Sequence, residues 1–379
     1  MNTPVWPAPV AGVAPLAGGD GAAAFQALPG LVAATPNDRR GRWAHVFGAV
    51  DLGTNNCRLL VAKPTRTGFR VIDSFSRVVR LGEGLAHHGA LSDAAMDRAV
   101  EALAICARKM ARRGVTRARF VATQACRMAR NADAFLDRVA AETGLNLELI
   151  PPEAEARLAV AGCLPLLDTS IPHALVFDIG GGSTEIIWLH CRASSGRFEV
   201  AGWTSLPVGV VTLAERYGGD GMAADDYEPM IAEVRNMIAP FFDRHRASLP
   251  DPKKGRLQVL GTSGTVTTLA GVHMGLARYD RAKVDGSFIS VEAITDVSHR
   301  LAGLSHADRA AFPCIGADRA DLVVAGCAIL EAINRTFPAD RLRVADRGLR
   351  EGILAGLMEE ADYDARKLRR DRDDHGALR

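Results

Sequence analysis

The sequence predicts an α/β protein of two related lobes around a central cleft, because two segments share one strand–turn–strand pattern. Ala174–Trp188 reads ALVFDIGGGSTEIIW, and Val46–Val61 reads VFGAVDLGTNNCRLLV. Each has an apolar run containing an Asp, a Gly-containing turn and a second apolar run, which is typical of a hairpin of buried strands. Asp178 follows Asp51 by 127 positions, a spacing that favours a duplicated domain.

The turn after Asp178 predicts a phosphate site. Consecutive glycines can take positive φ angles and let backbone N–H groups approach an anion. A carboxylate would repel a phosphate unless a cation lay between them, so the segment indicates Mg²⁺ held by Asp178 and Glu185. A tight hairpin with a capping Asp and no ligand is an equally good interpretation of this segment alone.

A third Gly-rich loop, Leu260–Gly271, follows an apolar stretch and precedes a predicted helix, so its amides would lie at a helix N-terminus, where anions bind. Loops from two facing lobes could clamp an oligophosphate. The predicted phosphate-binding residues are Gly53, Thr54 and Asn55, then Gly180, Gly181, Gly182 and Ser183, and finally Gly261, Thr262, Ser263, Gly264 and Thr265.

Composition excludes several classes of protein. The chain has 379 residues, enough for two domains with separate cores. A net charge of +2 gives no reason to expect a nucleic-acid or membrane partner. No apolar run approaches the roughly 18 residues of a membrane span. The seven cysteines contain no C-x-x-C pair, so we expect reduced, buried thiols and a cytoplasmic protein.

Four regions follow from these patterns. Residues 1–44 are rich in Ala, Pro and Gly and are expected to be disordered. The first lobe spans 45–151 and is closed by a C-terminal helix at 345–361. The second lobe spans 152–344. Residues 362–379 form a short charged tail that we expect to be frayed.

Two charged residues are candidates for chemistry. Arg127 lies one turn beyond a predicted strand, Phe120–Ala122, in a helix predicted to continue to Asn131; ligand contacts concentrate at such strand ends, and Arg suits bidentate phosphate binding. Glu155 lies in the first turn of a helix that Pro151 and Pro152 introduce. The helix dipole alone would favour a carboxylate there, so spacing by itself leaves a structural role more favoured than that of a general base.

Eight motifs in order resemble the exopolyphosphatase / guanosine pentaphosphate phosphohydrolase (Ppx/GppA) family over about residues 47–357. They are AVDLGTNNCRLLV, FVATQACRMARN, IPPEAEARLA, VFDIGGGSTEII, LPVGVVTL, VLGTSGTVTTLA, ADRADLVVAGCAIL and VADRGLREGIL. The resemblance implies two ribonuclease-H-like lobes, as in actin and the sugar kinases, and removal of the terminal phosphate of polyphosphate or pppGpp with Mg²⁺. It implies Glu155 as the catalytic glutamate, Arg127 as a second catalytic residue, and Asp51, Asp178 and Glu185 as metal ligands.

The chain departs from the family at Asn56, Gln124 and Ala154, and it resembles the short form without an HD-type C-terminal domain. The resemblance favours an exopolyphosphatase. It leaves open a pppGpp 5′-phosphohydrolase, a non-catalytic polyphosphate- or alarmone-binding regulator and, less favoured, a kinase of the same fold. A monovalent cation such as K⁺ and a homodimer also stay open; we expect no membrane partner and no specific nucleic acid.

Overall fold

The computed structural model describes residues 41–219, 224–248, 256–337 and 339–376. These residues form two compact units, which are described separately. Unit 1 comprises residues 41–151 and 349–376, and unit 2 comprises residues 152–348. Of the N-terminal extension predicted at 1–44, residues 1–40 lie outside the described residues, and Gly41–Ala44 form a 3-10 turn of unit 1.

Unit 1 is built on a five-stranded mixed sheet in the order β3-β2-β1-β4-β5. The first three strands are antiparallel neighbours, and β4 and β5 continue parallel to β1. The strands are β1 (Phe47–Leu52), β2 (Asn56–Thr65), β3 (Gly68–Val78), β4 (Arg117–Ala122) and β5 (Glu148–Leu149). The helices are α1 (Leu85–His88), α2 (Asp93–Arg112), α3 (Gln124–Met128), α4 (Ala132–Thr143) and, from the end of the chain, α13 (Leu349–Gly376).

Unit 2 repeats this strand order and adds one edge strand, giving β8-β7-β6-β9-β11-β10. Its strands are β6 (His173–Ile179), β7 (Thr184–Arg192), β8 (Arg197–Leu206), β9 (Leu257–Thr262), β10 (Phe288–Ser290) and β11 (Arg341–Ala345). Its helices are α5 (Pro152–Cys163), α6 (Val210–Arg216), α7 (Tyr227–His245), α8 (Ser263–His273), α9 (Arg281–Val284), α10 (Val291–Ala302), α11 (His306–Ala310) and α12 (Val323–Thr336). The shared order confirms the predicted pair of related α/β folds.

Each unit has its own apolar core. In unit 1 one face of the sheet packs against α2, whose inward stripe includes Leu103, Cys106 and Met110. In unit 2 helix α12 is buried along nearly its whole length, because it packs against other helices as well as the sheet. All seven cysteines are buried and free, as predicted. Within the part of the chain that the structure describes, no helix combines the length and apolar character needed to span a membrane.

The final helix differs from the sequence prediction. Helix α13 begins at Leu349 instead of 345 and runs without a break to Gly376, through the stretch predicted to be a frayed tail. It packs against the first sheet. Asp362 accepts hydrogen bonds from the backbone N–H and the Nε of Arg42 at 2.8 and 2.6 Å, and Asp364 pairs with Arg117 at 2.7 Å. The two partners of each ion pair lie far apart in the sequence, so the sequence of the tail alone could not predict these contacts.

Two local predictions in unit 1 were wrong. The sequence patterns predict two further strands, Phe69–Phe75 and Arg77–Leu81, whereas the structure has one strand, β3, that runs unbroken from Gly68 to Val78. The helix after β4 ends at Met128, so Asn131 is not in the same helix as Arg127. Asn131 instead bonds through its side chain to both backbone polar groups of Leu91, and these bonds fix a separate turn.

Candidate functional site

The hairpin of unit 2 brings two predicted metal ligands together. Asp178 on β6 and Glu185 on β7 are directly paired across the antiparallel ladder, so their side chains project from the same face of the sheet. Glu185 is buried and accepts a hydrogen bond from Ser205 Oγ at 2.8 Å. Carboxylate oxygens of this kind are the donors that Mg²⁺ prefers. The donor set therefore fits the predicted ion.

The turn of this hairpin is held from one side. Gly180 N–H donates to Ser183 O at 2.9 Å, and the carbonyls of Gly180 and Gly181 accept from the first amides of helix α6 at 3.0 and 2.8 Å. Gly209 precedes that helix, and a Cβ on it would lie 2.4 Å from the carbonyl carbon of Gly181. These backbone contacts fix the turn, and they leave no room for a side chain at position 209.

The hairpin of unit 1 has the same turn and a different charge balance. Gly53 N–H donates to Asn56 O at 2.9 Å, as Gly180 does to Ser183. Asp51 is paired across the strands with Arg58, which stands where unit 2 has Glu185. Burial raises the pKa of Asp51, and the nearby Arg58 and Arg350 oppose that rise. Asp51 is therefore compensated by arginines, whereas Asp178 faces another acid.

Thr54 and Asn55 lie in the turn of the first hairpin and are both buried. The Asn55 Oδ1 atom is buried and has no hydrogen-bond partner within the described residues. A buried amide oxygen without a hydrogen bond lowers the stability of the folded protein. Its presence next to Asp51 and the glycine turn is consistent with a polar ligand site.

Arg127 is held at the ends of two strands of unit 1. Its Nη1 donates to the carbonyl of Ile150 at 2.8 Å, and its Nε and Nη2 donate to Gln124 Oε1 at 3.1 and 2.8 Å. Gln124, which departs from the family pattern, therefore orients the guanidinium. The thiol of Cys126 beside it has its pKa raised to about 12 by burial, which makes it a poor nucleophile.

The first turn of helix α5 carries two acidic residues, Glu153 and Glu155. Pro152 opens the helix, where a missing N–H costs nothing. Glu153 accepts from Arg157 one turn later at 2.8 Å, a structural pair. Glu155 lies two residues on, roughly 200° around the helix from Glu153. The two carboxylates therefore leave the helix on different faces.

The turn after β11 connects the predicted site residues of unit 2. The carbonyl of Arg347 accepts from Thr262 Oγ1 at 2.6 Å and from the Cys163 thiol at 3.2 Å. A Cβ built on Gly162 would lie 2.0 Å from Gly348 O, and one built on Gly348 would lie 3.9 Å from Asp178 Oδ2. Helix α5, the third Gly-rich loop and Asp178 are thus packed against one turn.

Of the five residues predicted in the third loop, three are buried and two are partly exposed. The hydroxyl of Thr262 is used by Arg347, Thr265 packs against Gly326 of α12, and Gly261 leaves room for the ring of Phe177. Ser263 and Gly264 are partly exposed at the start of α8.

Several residues near the site were not predicted. Arg58 and Arg350 act on Asp51, and Ser205 bonds to Glu185. Arg58 and Glu185 occupy the same place in the two hairpin patterns, seven residues after their Asp, so aligning the repeats would have identified Arg58. Arg350 lies in the VADRGLREGIL motif, but its position near Asp51 depends on the fold and cannot be inferred from the motif.

The sequence allows the basic residues between 108 and 119 to form either a solvated charged face or a track for a polyanion, and most of them are paired with acids. Asp73 lies within 4 Å of charged atoms of Lys109, Arg112 and Arg113; although burial opposes it, hydrogen bonds from Lys109 and Arg113 lower the Asp73 pKa to about 2. Arg119 pairs with Glu148. These contacts favour a charged surface held by its own acids over a track for a polyanion.

One further group of potential metal ligands occurs among the described residues. Glu228, His299 and Glu331 converge from three helices of unit 2. Both carboxylates already accept bonds from Arg335, at 2.8 and 2.7 Å for Glu228 and 2.6 Å for Glu331. The arginine supplies the positive charge that a cation would bring, so the group is an ion-pair network that joins helices.

Comparison with known proteins gives consistent matches. A family model described as the Ppx/GppA phosphatase family matches residues 60–361. A guanosine-5′-triphosphate,3′-diphosphate pyrophosphatase of Aliivibrio fischeri (strain MJ11) is 29% identical over 322 residues, covering 84% of this chain and 60% of that protein. The chain therefore spans about 60% of the length of that curated relative.

Solved structures match in fold as well. An exopolyphosphatase from Cytophaga hutchinsonii has a TM-score of 0.75 at 24% identity, covering 83% of this chain and 98% of that one. An exopolyphosphatase-like protein has a TM-score of 0.75 at 29% identity, covering 83% and 99%. Both share the α/β fold of this chain.

Proposed function

Because the chain belongs to the Ppx/GppA phosphatase family, we propose that it is an exopolyphosphatase, which removes the terminal phosphate of inorganic polyphosphate with Mg²⁺. The observation that carries the proposal is the repeated hairpin. Each unit presents a glycine turn closed by the same 2.9 Å hydrogen bond, with an Asp on the preceding strand. A glycine turn of this kind suits the binding of a phosphate group by backbone N–H groups.

Asp178 and Glu185 are the proposed ligands of Mg²⁺, with Asp51 as a further candidate. When bound, the ion would offset the charge of the phosphate oxygens. Backbone amides of Gly53–Asn55 and Gly180–Ser183 are proposed to bind phosphates, joined by the partly exposed Ser263 and Gly264. Arg127, already oriented by Gln124 and Ile150, would stabilise charge on the transferred group.

Glu155 is the proposed general base. It takes a proton from a water whose oxygen adds to the terminal phosphorus, while the bridging P–O bond breaks and the shortened chain leaves with the electron pair. Phosphoryl transfer depends mainly on positioning and electrostatics. Helix α5 is well suited to position this carboxylate because Gly162 and Cys163 fix its far end against the Arg347–Gly348 turn.

The second candidate is hydrolysis of pppGpp, the same chemistry on a nucleotide. The curated relative named for guanosine-5′-triphosphate,3′-diphosphate hydrolysis favours it. A regulator that binds either ligand without turnover is less favoured, because Glu155, Asp178 and Glu185 are all present.

The test is phosphate release from long-chain polyphosphate and from pppGpp, side by side with Mg²⁺. We expect release from polyphosphate, and a ~10²–10⁴-fold loss in Glu155→Gln with an unchanged unfolding midpoint. Glu153→Gln is the matched control, since Glu153 lies in the same helical turn and pairs with Arg157; it should keep most activity. Full turnover in Glu155→Gln would remove Glu155 from this role, and a preference for pppGpp would promote the second candidate.

A further inference from the structure

The carboxylate of Asp285 holds the Arg347–Gly348 turn, which follows β11. Its Oδ1 and Oδ2 atoms accept from Arg347 Nε at 3.2 and 3.1 Å, and Arg347 Nη2 donates to Oδ2 as well. Asp285 Oδ1 also accepts from the backbone N–H of Asp346 at 3.0 Å. The Asp285 side chain is only 13% exposed, so solvent screens this pair less than it would an exposed one.

The backbone around Asp285 is itself fixed. Asp285 N–H donates to the carbonyl of Arg281, in helix α9, at 2.9 Å. On the other side, Gly286 N–H donates to Val344 O at 2.8 Å, and Val344 N–H donates to Ser287 O at 2.9 Å, which ties the segment to β11. Asp285 therefore reaches the turn from a backbone that is hydrogen-bonded on both sides.

Two neighbours of Asp285 in sequence hold the residue before the turn. Tyr279 OH donates to Asp346 Oδ2 at 2.7 Å, and Arg281 Nη2 donates to the carbonyl of Asp346. These bonds hold Asp346 in place, whereas the guanidinium of Arg347 is held by Asp285. The segment 279–285 thus bonds to two successive residues, and Asp285 is its contact with the side chain of Arg347.

The same turn contacts two residues of the candidate site. The carbonyl of Arg347 accepts from Thr262 Oγ1 at 2.6 Å. A Cβ built on Gly348 would lie 3.2 Å from Thr262 Oγ1 and 3.9 Å from Asp178 Oδ2. A shift of the turn would therefore change the space available to the Asp178 carboxylate and the hydrogen bond of Thr262.

We propose that Asp285 is a positioning residue of the metal site, which acts through Arg347 by fixing the turn that lies against Asp178. It would contact neither the ion nor the phosphate. Substitution of residues that hold metal ligands in place typically costs roughly 10- to 100-fold in metal affinity or activity. This inference rests on the proposed function for a metal at Asp178 and Glu185, and it adds a residue that the sequence patterns did not single out.

The test is Mn²⁺ binding to the whole chain without phosphate substrate, followed by the electron paramagnetic resonance signal of the free ion. Mn²⁺ takes the same oxygen donors as Mg²⁺. We expect Asp285→Ala to weaken Mn²⁺ binding roughly 10-fold, at the lower end of the range because the turn intervenes. Asp285→Glu, which keeps a negative charge opposite Arg347, should restore part of the lost affinity.

A double-mutant cycle tests whether Asp285 acts through Arg347. Arg347→Ala should weaken Mn²⁺ binding by a similar factor, and the double variant should lose no more than the larger single loss, because both changes break the same link. Glu233→Gln is the matched control. Glu233 accepts from Arg216 and Tyr217 in the same unit, so its loss should lower the unfolding midpoint and leave Mn²⁺ affinity unchanged.

Several results would overturn the proposal. Unchanged Mn²⁺ affinity in Asp285→Ala would do so, as would absence of Mn²⁺ binding by the parent. An equal loss in Glu233→Gln would assign the effect to general loosening of unit 2, and additive losses in the cycle would reject the route through Arg347. Weakened Mn²⁺ binding in Asp285→Ala, together with no phosphate release by the unmodified chain, would keep Asp285 as a positioning residue of a metal site and reject the proposed hydrolysis.

Discussion

Asp51 and Asp178 are equivalent residues of the two hairpins, yet they stand opposite side chains of opposite charge. Asp51 is paired with Arg58, and Asp178 is paired with Glu185. Arg58 opposes the effect of burial on the pKa of Asp51, whereas Asp178 and Glu185 are two adjacent carboxylates of the kind that Mg²⁺ prefers as ligands. The metal is therefore expected to depend more on Asp178 than on Asp51.

For Asp178→Asn we expect the Mg²⁺ concentration at half-maximal activity to rise roughly 10- to 100-fold, because one charged ligand becomes neutral. Mg²⁺ titration of phosphate release measures this shift. Glu199→Gln is the control, since Glu199 pairs with Arg192 on β7 and β8 of the same unit and its loss should leave the titration unchanged. An Asp178→Asn titration that coincides with that of the parent would contradict a metal role for Asp178.

At the scale of elements, the sequence predicts a boundary well where neighbouring residues determine it and poorly where distant residues do. The N-cap at Ser92, whose Oγ accepts from Ala95 N–H, and the helix start at Pro152 were predictable because neighbouring residues decide them. The end of β3 and the turn that follows were not, since they depend on bonds from Val79 and Gly82 to a hairpin more than twenty residues earlier.

The candidate site shows the same division. The residue types of the glycine turns and their acids could be read directly, because anion and metal binding need those groups at those spacings. The packing roles of Gly261, Thr262 and Thr265 could not, since their partners Phe177, Arg347 and Gly326 lie far away in sequence.

Gly209 tests how tightly helix α6 supports the second glycine turn. Gly209→Ala would place a methyl group 2.4 to 2.6 Å from backbone atoms of Gly180 and Gly181, which cannot rotate away. We expect a loss of about 1–3 kcal/mol in the free energy of unfolding and a fall in turnover of up to about 10²-fold from the displaced turn. Denaturant unfolding and phosphate release measure the two effects.

Gly356→Ala is the matched control for that experiment. Gly356 lies inside helix α13, and a Cβ there would meet no atom within 4 Å. The substitution should raise the free energy of unfolding by about 0.5–1 kcal/mol and leave turnover unchanged. If Gly209→Ala behaved like Gly356→Ala, the close packing of α6 on the turn would not be needed for the site.

At the scale of the whole molecule, the duplication is the feature that organises both sequence and structure. The 127-residue spacing of Asp51 and Asp178 predicted it, and the repeated strand order confirms it. The repeats have diverged in charge at Arg58 and Glu185 and in the support of their turns, which assigns different proposed tasks to them. In the proposed function, unit 2 carries the acids Asp178 and Glu185 and the Glu155 helix, and unit 1 carries Arg127 and a second glycine turn.

The central claim is that water activated by Glu155 attacks the terminal phosphorus, and isotope transfer tests it most directly. Polyphosphate would be hydrolysed with Mg²⁺ in ¹⁸O-labelled water and the released orthophosphate analysed by mass spectrometry. We predict one ¹⁸O atom in each orthophosphate released, at a rate that falls ~10²–10⁴-fold in Glu155→Gln. Unlabelled orthophosphate would place the attack on the neighbouring phosphorus, and no release despite tight binding would show that the chain is not a hydrolase of this substrate.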